Sequence, residues 1–193
     1  VRRISDKHNL NGDELAKSAQ LTSRGDNNAV QDGYNLYQQY FIVTDEGEWT
    51  SITQGMNKNT RRARRYHWHS PTVKSFVESP HTGIVGEKGL PVLNLTDSKA
   101  DMLRTNMVGL TKGKPSEVIG HYKDIVMPNR HDIREEDVNM TRLGSVLNMA
   151  YNSDIENFED LVMMKGVGPR TLKSLAMVSE VVHGDASRFE DPA

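Results

Sequence analysis

Residues 60–70, with the sequence TRRARRYHWHS, combine side chains that bind phosphate groups with side chains that stack on bases. The four arginines of this segment are Arg61, Arg62, Arg64 and Arg65. Guanidinium groups neutralise phosphates, and aromatic rings such as those of Tyr66 and Trp68 stack on bases. The segment therefore predicts a nucleic-acid contact. The alternative is a solvated, charged strand with Trp68 in the core.

The same segment carries two histidines, His67 and His69, which lie on one face if the chain is extended there. A pair at this spacing binds a divalent metal when a third ligand joins it from elsewhere. Because the sequence identifies no third ligand, phosphate binding is the favoured interpretation of the segment, and a metal site is the alternative.

Polar and ionisable residues on both sides of the segment form a second candidate site. Its candidate catalytic residues are Asp32, Gln38, Gln54, Arg65, His67 and His81. In a metal-dependent nuclease, Mg²⁺ or Mn²⁺ held by Asp32 and Glu78 would polarise a phosphate and activate water. Arg65 would stabilise the developing charge, and a histidine would transfer the proton.

Two other hypotheses remain open for these residues. In a DNA-binding or adaptor protein without catalysis, they would form a satisfied structural hydrogen-bond network. In an enzyme that acts on nucleotides or other small phosphorylated substrates, the helical hairpin within residues 157–178 would serve for contact with a protein.

A third candidate site lies in residues 157–178, NFEDLVMMKGVGPRTLKSLAMV. Its apolar residues predict two short amphipathic helices joined by a turn with two glycines, and Pro169 suits the first turn of the second helix. Glycine lets such a turn approach another surface closely, and amides at a helix amino terminus attract anions. The candidate nucleic-acid-binding residues here are Lys165, Gly166, Val167, Gly168, Arg170, Thr171 and Lys173.

Residues 157–183 resemble the helix-hairpin-helix motif, and that resemblance implies binding to the DNA backbone, duplex or branched, without sequence specificity. The alternative is an ordinary helical hairpin with a tight glycine turn. The motif also occurs in base-excision glycosylases, where an aspartate follows downstream. Asp185 is present, but no pattern around it supports that assignment.

Composition narrows the class of protein. The 193 residues suffice for one domain or two small ones. Because the net charge is −2, attraction to nucleic acid must come from local clusters of positive charge. The absence of cysteine excludes a disulfide framework and a cysteine nucleophile.

Apolar runs are too short to span a bilayer, so we expect a cytoplasmic protein that binds no membrane. Since the sequence begins at Val1, we also expect it to be part of a longer protein.

The apolar pattern predicts an α+β fold in two parts. Residues 1–96 are predicted to form a mixed α/β part with a helix at 12–23 and an antiparallel hairpin with strands at 33–43 and 49–54. Both faces of the first strand are mostly apolar, so we expect that strand to be central in its sheet.

Residues 97–193 are predicted to be all-helical. The first helix is predicted to have Asp97 or Ser98 as its cap and to end near Leu110. Its predicted buried face comprises Met102, Leu103, Met107 and Leu110. Further helices are predicted at 115–126 and 135–151, with a break at 127–129.

Several stretches together resemble one protein family. They are AVQDGYNLYQQYFIV, EWTSITQGMN, ARRYHWHS, SFVESPHTGI, LNLTDSKADMLRTNMV and MKGVGPRTLKSLAMVSEVV. In this order they are similar to the archaeal and bacterial family catalogued as domain of unknown function 763, over roughly residues 12–192. The resemblance implies a shared fold but no reaction. It also implies that relatives often have an apolar residue at the position of His69, which argues against a metal site built on both histidines.

Overall fold

The computed structural model describes residues 1–88, 91–124 and 140–193. It contains helices and antiparallel sheets, so the predicted α+β fold is confirmed. Two compact units are present: Val1–Ser98 together with Phe189–Ala193, and Lys99–Arg188. The predicted break at 127–129 and the predicted helix start at 135 lie outside the described residues.

The first unit begins with helices. A short helix α1, Arg2–Ser5, and a 3₁₀ turn, Asp6–His8, precede helix α2, Gly12–Arg24. The Asn11 side chain accepts a hydrogen bond from the Glu14 amide at 3.1 Å and caps α2. A π-helical turn, Gly25–Ala29, continues from α2. The helix predicted at 12–23 is therefore present.

A four-stranded antiparallel sheet is the main element of the first unit. Its strands are β2 Asn35–Val43, β3 Trp49–Asn57, β4 Arg62–His69 and β5 Gly83–Val85, in that spatial order. A separate pair joins β1, Val30–Gln31, to β6, Leu93–Asn94. The predicted β2–β3 hairpin is present, and Gly47 in its turn has a φ of 92°, which favours glycine.

The expectation that β2 is central was wrong, because it lies at the edge of the sheet. β3 pairs with β2 on one side and with β4 on the other. Apolar residues on the outer side of β2, Tyr40 and Ile42, are 54% and 59% exposed rather than buried. The inner side of β2 faces α2, where the Gln39 side-chain amide donates to the Ala19 carbonyl at 2.7 Å.

An aromatic cluster fills the space between the sheet and α2. Leu15 of α2 packs with Trp49 and Trp68, whose neighbours include Phe41 and Phe76. Trp49 stacks on Phe41 with ring centroids 5.2 Å apart. Alternate residues of β2, β3 and β4 therefore point into this core, and the residues between them point away from it.

In the described residues of the second unit, 99–124 and 140–188, there are five helices. They are α3 Asp101–Lys112, α4 Pro115–Asp124, α5 Met140–Tyr151, α6 Phe158–Met163 and α7 Pro169–His183. A 3₁₀ turn, Ser98–Ala100, precedes α3, so that helix begins later than predicted, with Ala100 at the N-cap position and no side-chain cap. None of the helices in the described ranges is long and apolar enough to cross a bilayer.

The predicted buried face of α3 is correct except at Met102. Leu103, Met107 and Leu110 are buried, whereas Met102 is 62% exposed. The spacing explains the error. Residues 103, 107 and 110 follow the i, i+4, i+7 pattern of one helical face, and residue 102 lies about 100° away from 103.

We expect Met107→Ala to lower the free energy of unfolding by about 2–5 kcal/mol, because it removes a side chain that is 0% exposed and leaves a cavity. The matched control is Met102→Ala, which we expect to change the free energy of unfolding by less than about 0.5 kcal/mol. Urea denaturation followed by circular dichroism measures both. Equal losses in the two variants would contradict this assignment of the α3 face.

Candidate nucleic-acid interface

The arginine-rich segment forms the end of the β3–β4 turn and strand β4. Arg64, Tyr66 and Trp68 point inward and are at most 1% exposed. Arg65 and His69 are exposed, and His67 is half-buried. The segment thus supplies two different sets of side chains to the two faces of the sheet.

Three of the predicted nucleic-acid contacts are buried in the first unit. Arg64 and Trp68 are both 0% exposed, so neither side chain can reach a phosphate or a base in this structure. Tyr66, the other ring expected to stack on bases, is 1% exposed. The exposed residues at the start of the segment are Arg61, in the turn with a φ of 57°, and Arg62, which pairs with Glu87.

Arg64 lies between two carboxylates in the interior of the first unit. Its Nη1 donates to Asp32 Oδ2 at 3.1 Å and to Asp191 Oδ2 at 2.9 Å, and its Nη2 donates to Asp191 Oδ1. The Tyr66 hydroxyl also donates to Asp32 Oδ2, and the Tyr34 amide donates to Asp32 Oδ1 at 3.1 Å. Asp32 therefore has both carboxylate oxygens occupied by protein donors.

The pKa shifts of this group follow from burial and charge. Burial raises the pKa of Asp32, and this outweighs the opposing effects of the Tyr66 hydroxyl, the Tyr34 amide and Arg64. Burial also raises the pKa of Tyr66, so its hydroxyl stays protonated and remains a donor. Burial alone would lower the pKa of Arg64, but Asp191 and Asp32 raise it overall, so the guanidinium stays charged.

These contacts bear on the predicted metal site. Asp32 is 7% exposed and bonded to Arg64 and Tyr66, whereas Glu78 is on the surface. Across residues 1–88, 91–124 and 140–193, no group of three or more His, Asp and Glu side chains is placed to hold a metal ion. The described residues thus place Asp32 in a structural network. A Mg²⁺ or Mn²⁺ site stays a prediction.

A second buried carboxylate, Asp26, was not predicted from the sequence. It is 1% exposed and accepts hydrogen bonds from the Thr53 hydroxyl and from Trp68 Nε1, the latter at 3.0 Å. His81 Nε2 lies 2.6 Å from Asp26 Oδ1, and the His81 side chain is 6% exposed. His81 is therefore enclosed on the inner side of the sheet.

The other four predicted catalytic residues lie together on the outer side of the sheet. Strand register places Gln38 opposite Gln54, and Gln54 opposite Arg65. Arg65 Nε donates to Gln54 Oε1 at 2.6 Å, and His67 lies in the next row, opposite Ile52. The structure thus divides the predicted catalytic set between the two faces, with Asp32 and His81 inward and these four outward.

The predicted site in the second unit contains the turn Met164–Gly168 between α6 and α7, which we call the glycine turn. Asn157 and Asp160 form a capping box that fixes the start of α6. Gly166 has a φ of 90°, and a Cβ added there would lie 3.4 Å from Met149 of α5. The conformation requires glycine at this position, and the turn packs against α5.

The glycine turn exposes some of its predicted binding residues and buries others. Lys165, Gly166 and Arg170 are exposed, and Gly168 and Lys173 are half-buried. Val167 and Thr171 are 6% and 5% exposed, so their side chains anchor the turn and do not contact a ligand directly. Gly168 is the N-cap residue of α7 and provides no side-chain cap.

We expect Arg64→Met to destabilise the protein by about 3–5 kcal/mol, because it leaves Asp32 and Asp191 buried without their cation. Arg65→Ala, one residue later and on the exposed face, is the control, with an expected change below about 0.5 kcal/mol. Guanidinium chloride denaturation compares the two. A larger loss for Arg65→Ala would reverse the assignment of the two faces.

Comparison with curated proteins and with solved structures finds no match to either. A family model does match: the one described as "Protein of unknown function (DUF763)" covers residues 1–193. The family resemblance identified from the sequence motifs is thereby confirmed. The chain belongs to the DUF763 family.

Proposed function

We propose that the chain binds DNA through the glycine turn, by contacts to the phosphate backbone and without reading base sequence. One observation carries the proposal: Gly168, the N-cap residue of α7, makes no side-chain cap hydrogen bond, and it lies in the same turn as exposed Lys165 and two residues before exposed Arg170. Helix α6, the glycine turn and helix α7 together constitute the proposed helix-hairpin-helix.

The chemistry of a helix amino terminus supports a phosphate ligand. The first amides of a helix have no acceptor inside the helix, and the helix dipole places partial positive charge there. In α7 the first residue, Pro169, has no N–H, so the amides at this end are those of Arg170 and Thr171. A Cβ added to the preceding Gly168 would meet no atom within 4 Å, so the backbone there is open to close approach. Arg170 and Lys173 add full charges next to the same amides.

The packing of the turn supports binding without rearrangement. Leu172 is fully buried beside the anchoring side chains of Val167 and Thr171. The Val167 amide donates to the Met164 carbonyl at 3.3 Å across the turn. Because these contacts already fix the turn, a phosphate would meet an ordered set of donors, and the entropy cost of binding would be small.

Between the hypotheses left open by the sequence, the described contacts favour binding without catalysis. The Asp32 carboxylate needed for a metal-dependent nuclease accepts hydrogen bonds from Arg64, Tyr66 and the Tyr34 amide. Cleavage with Mg²⁺ or Mn²⁺ is a separate prediction that the same DNA substrates test.

We expect Arg170→Glu to weaken binding to a fluorescein-labelled duplex of about 20 base pairs by roughly tenfold or more, because it places a negative charge beside the phosphate. We also expect the slope of log K against log salt to fall in magnitude by about 0.9 for each DNA phosphate that the variant no longer neutralises. Fluorescence anisotropy at low salt measures both quantities.

The matched control is Lys112→Glu, the same reversal of charge at an exposed position at the end of α3. It should change the affinity by less than about twofold, since only its long-range field acts on the DNA. If the two variants weakened binding equally, the affinity would depend only on the net charge of the protein, and this would contradict the proposal.

Addition of Mg²⁺ or Mn²⁺ to the wild-type complex, followed by denaturing electrophoresis, shows whether any strand is cut.

A further inference from the structure

The side of the four-stranded sheet that faces away from α2 is an exposed surface of mixed aromatic, aliphatic and cationic character. We call it the outer sheet face, and its central residues are Tyr40, Ile52, Gln54, Arg65, His67 and Val85. Tyr40 is 54% exposed and Val85 is 61% exposed. Met56, on β3, is 41% exposed. Apolar side chains grouped in this way on a surface mark a binding site more often than scattered single residues do.

The strands of this surface carry cations and no acidic side chain. Strands β2, β3, β4 and β5 contain no aspartate or glutamate, although 26 of the 193 residues of the chain are acidic. Arg65 lies near the middle of the face, and the β3–β4 turn at one end adds exposed Lys58 and Arg61. The β2–β3 turn at the opposite end carries the exposed Asp45, Glu46 and Glu48. The part of the face between Arg65 and the β3–β4 turn is therefore the part that complements a polyanion.

The strand register places rings that can stack on bases next to the cationic side chain of Arg65 on this face. Strand register places Tyr40 opposite Ile52, and Ile52 opposite His67, in one row across the sheet. The adjacent row contains Gln38, Gln54 and Arg65. Arg65 donates through Nε to Gln54, and among the described residues its two terminal nitrogens have no hydrogen-bond partner, so they can bind another acceptor at the surface.

We propose that the outer sheet face binds single-stranded nucleic acid. Tyr40 and His67 supply rings on which unpaired bases stack, and Arg65 binds a phosphate. Gln38, whose Nε2 donates to the Tyr40 hydroxyl, supplies its amide oxygen to base edges. The single strand is the form that fits, because in a duplex the base faces are already stacked on one another and a flat sheet cannot reach them.

This site differs from the glycine turn in both location and ligand. It lies in the first unit, uses stacking on bases, and does not depend on the proposed function. It also reassigns Gln38, Gln54, Arg65 and His67 from catalysis to binding.

The test measures the affinity of the full chain for labelled oligomers of about 12 nucleotides, one of deoxythymidine and one of uridine, by anisotropy. Tyr40→Ala should weaken binding about 5- to 100-fold, the range expected for removal of one stacking partner. Tyr40→Phe, which keeps the ring, should stay within about twofold of wild type. Arg65→Ala should lower the magnitude of the salt slope by about 0.7.

Controls separate this site from the glycine turn and from general effects. Tyr151→Ala removes a tyrosine of similar exposure, 49%, from the second unit and should leave the affinity unchanged. Arg170→Glu should weaken duplex binding and leave oligomer binding intact, so either proposal can fail while the other stands. The relative affinities of the two oligomers show whether DNA or RNA is the better ligand.

Three results would overturn the inference. The first is that wild type does not bind the oligomers even at low salt, or that Tyr40→Ala and Arg65→Ala bind them as tightly as wild type does. The second is that Tyr40→Ala weakens binding to an abasic oligomer as much as it weakens binding to an oligomer with bases, because stacking needs bases. The third is a dimer, seen by sedimentation, that Tyr40→Ala dissociates while no oligomer binds, because the outer sheet face would then belong to a second copy of the chain.

Discussion

The burial of Arg64 between Asp32 and Asp191 is the constraint on which the organisation of the first unit depends. A guanidinium with no exposed surface is tolerable only when carboxylates neutralise it and accept its hydrogen bonds. Side chains alternate along a strand, so fixing Arg64 inward also fixes Tyr66 and Trp68 inward and turns Arg65 and His67 outward. The same ion pair holds the residues around Asp191 in the first unit, far along the chain from the sheet.

This alternation separates buried side chains from exposed ones within one short segment. The inward residues of β4 bind the buried carboxylates, with Tyr66 on Asp32 and Trp68 on Asp26. The outward residues Arg65 and His69 are exposed. A segment that looks in the sequence like a single basic and aromatic cluster therefore contains two sets of side chains, one buried and one at the surface, and the proposed binding uses only the second set. In the second unit, the glycine turn shows a similar division, since Val167 and Thr171 anchor it while Lys165 and Arg170 remain exposed.

Local patterns were sufficient to predict most of the elements. The helix α2, the β2–β3 hairpin and the two helices around the glycine turn follow from residues close together in sequence, such as Asn11 at the cap of α2 and Gly47 in the hairpin turn. Which side chains of β4 point inward could not be predicted from arginine and ring content alone, because each of its alternating sets contains an arginine and rings: Tyr66 and Trp68 in one set, and the imidazoles of His67 and His69 in the other. Its deciding partners, Asp32 and Asp191, are 32 and 127 residues from Arg64. Asp26 lies in a polar stretch that resembles an exposed loop, so nothing local indicates its burial.

The most direct test of the account is arginine footprinting with phenylglyoxal, read out by peptide mass spectrometry with and without a deoxythymidine oligomer. Modification needs an accessible guanidinium, so we predict that Arg65 and Arg61 react in the folded protein and Arg64 does not. We also predict that the oligomer protects Arg65. Reaction of Arg64 as fast as that of Arg65 would contradict the assignment of the two faces. Reaction of Arg65 at the same rate with saturating oligomer would contradict the assignment of the outer sheet face to binding.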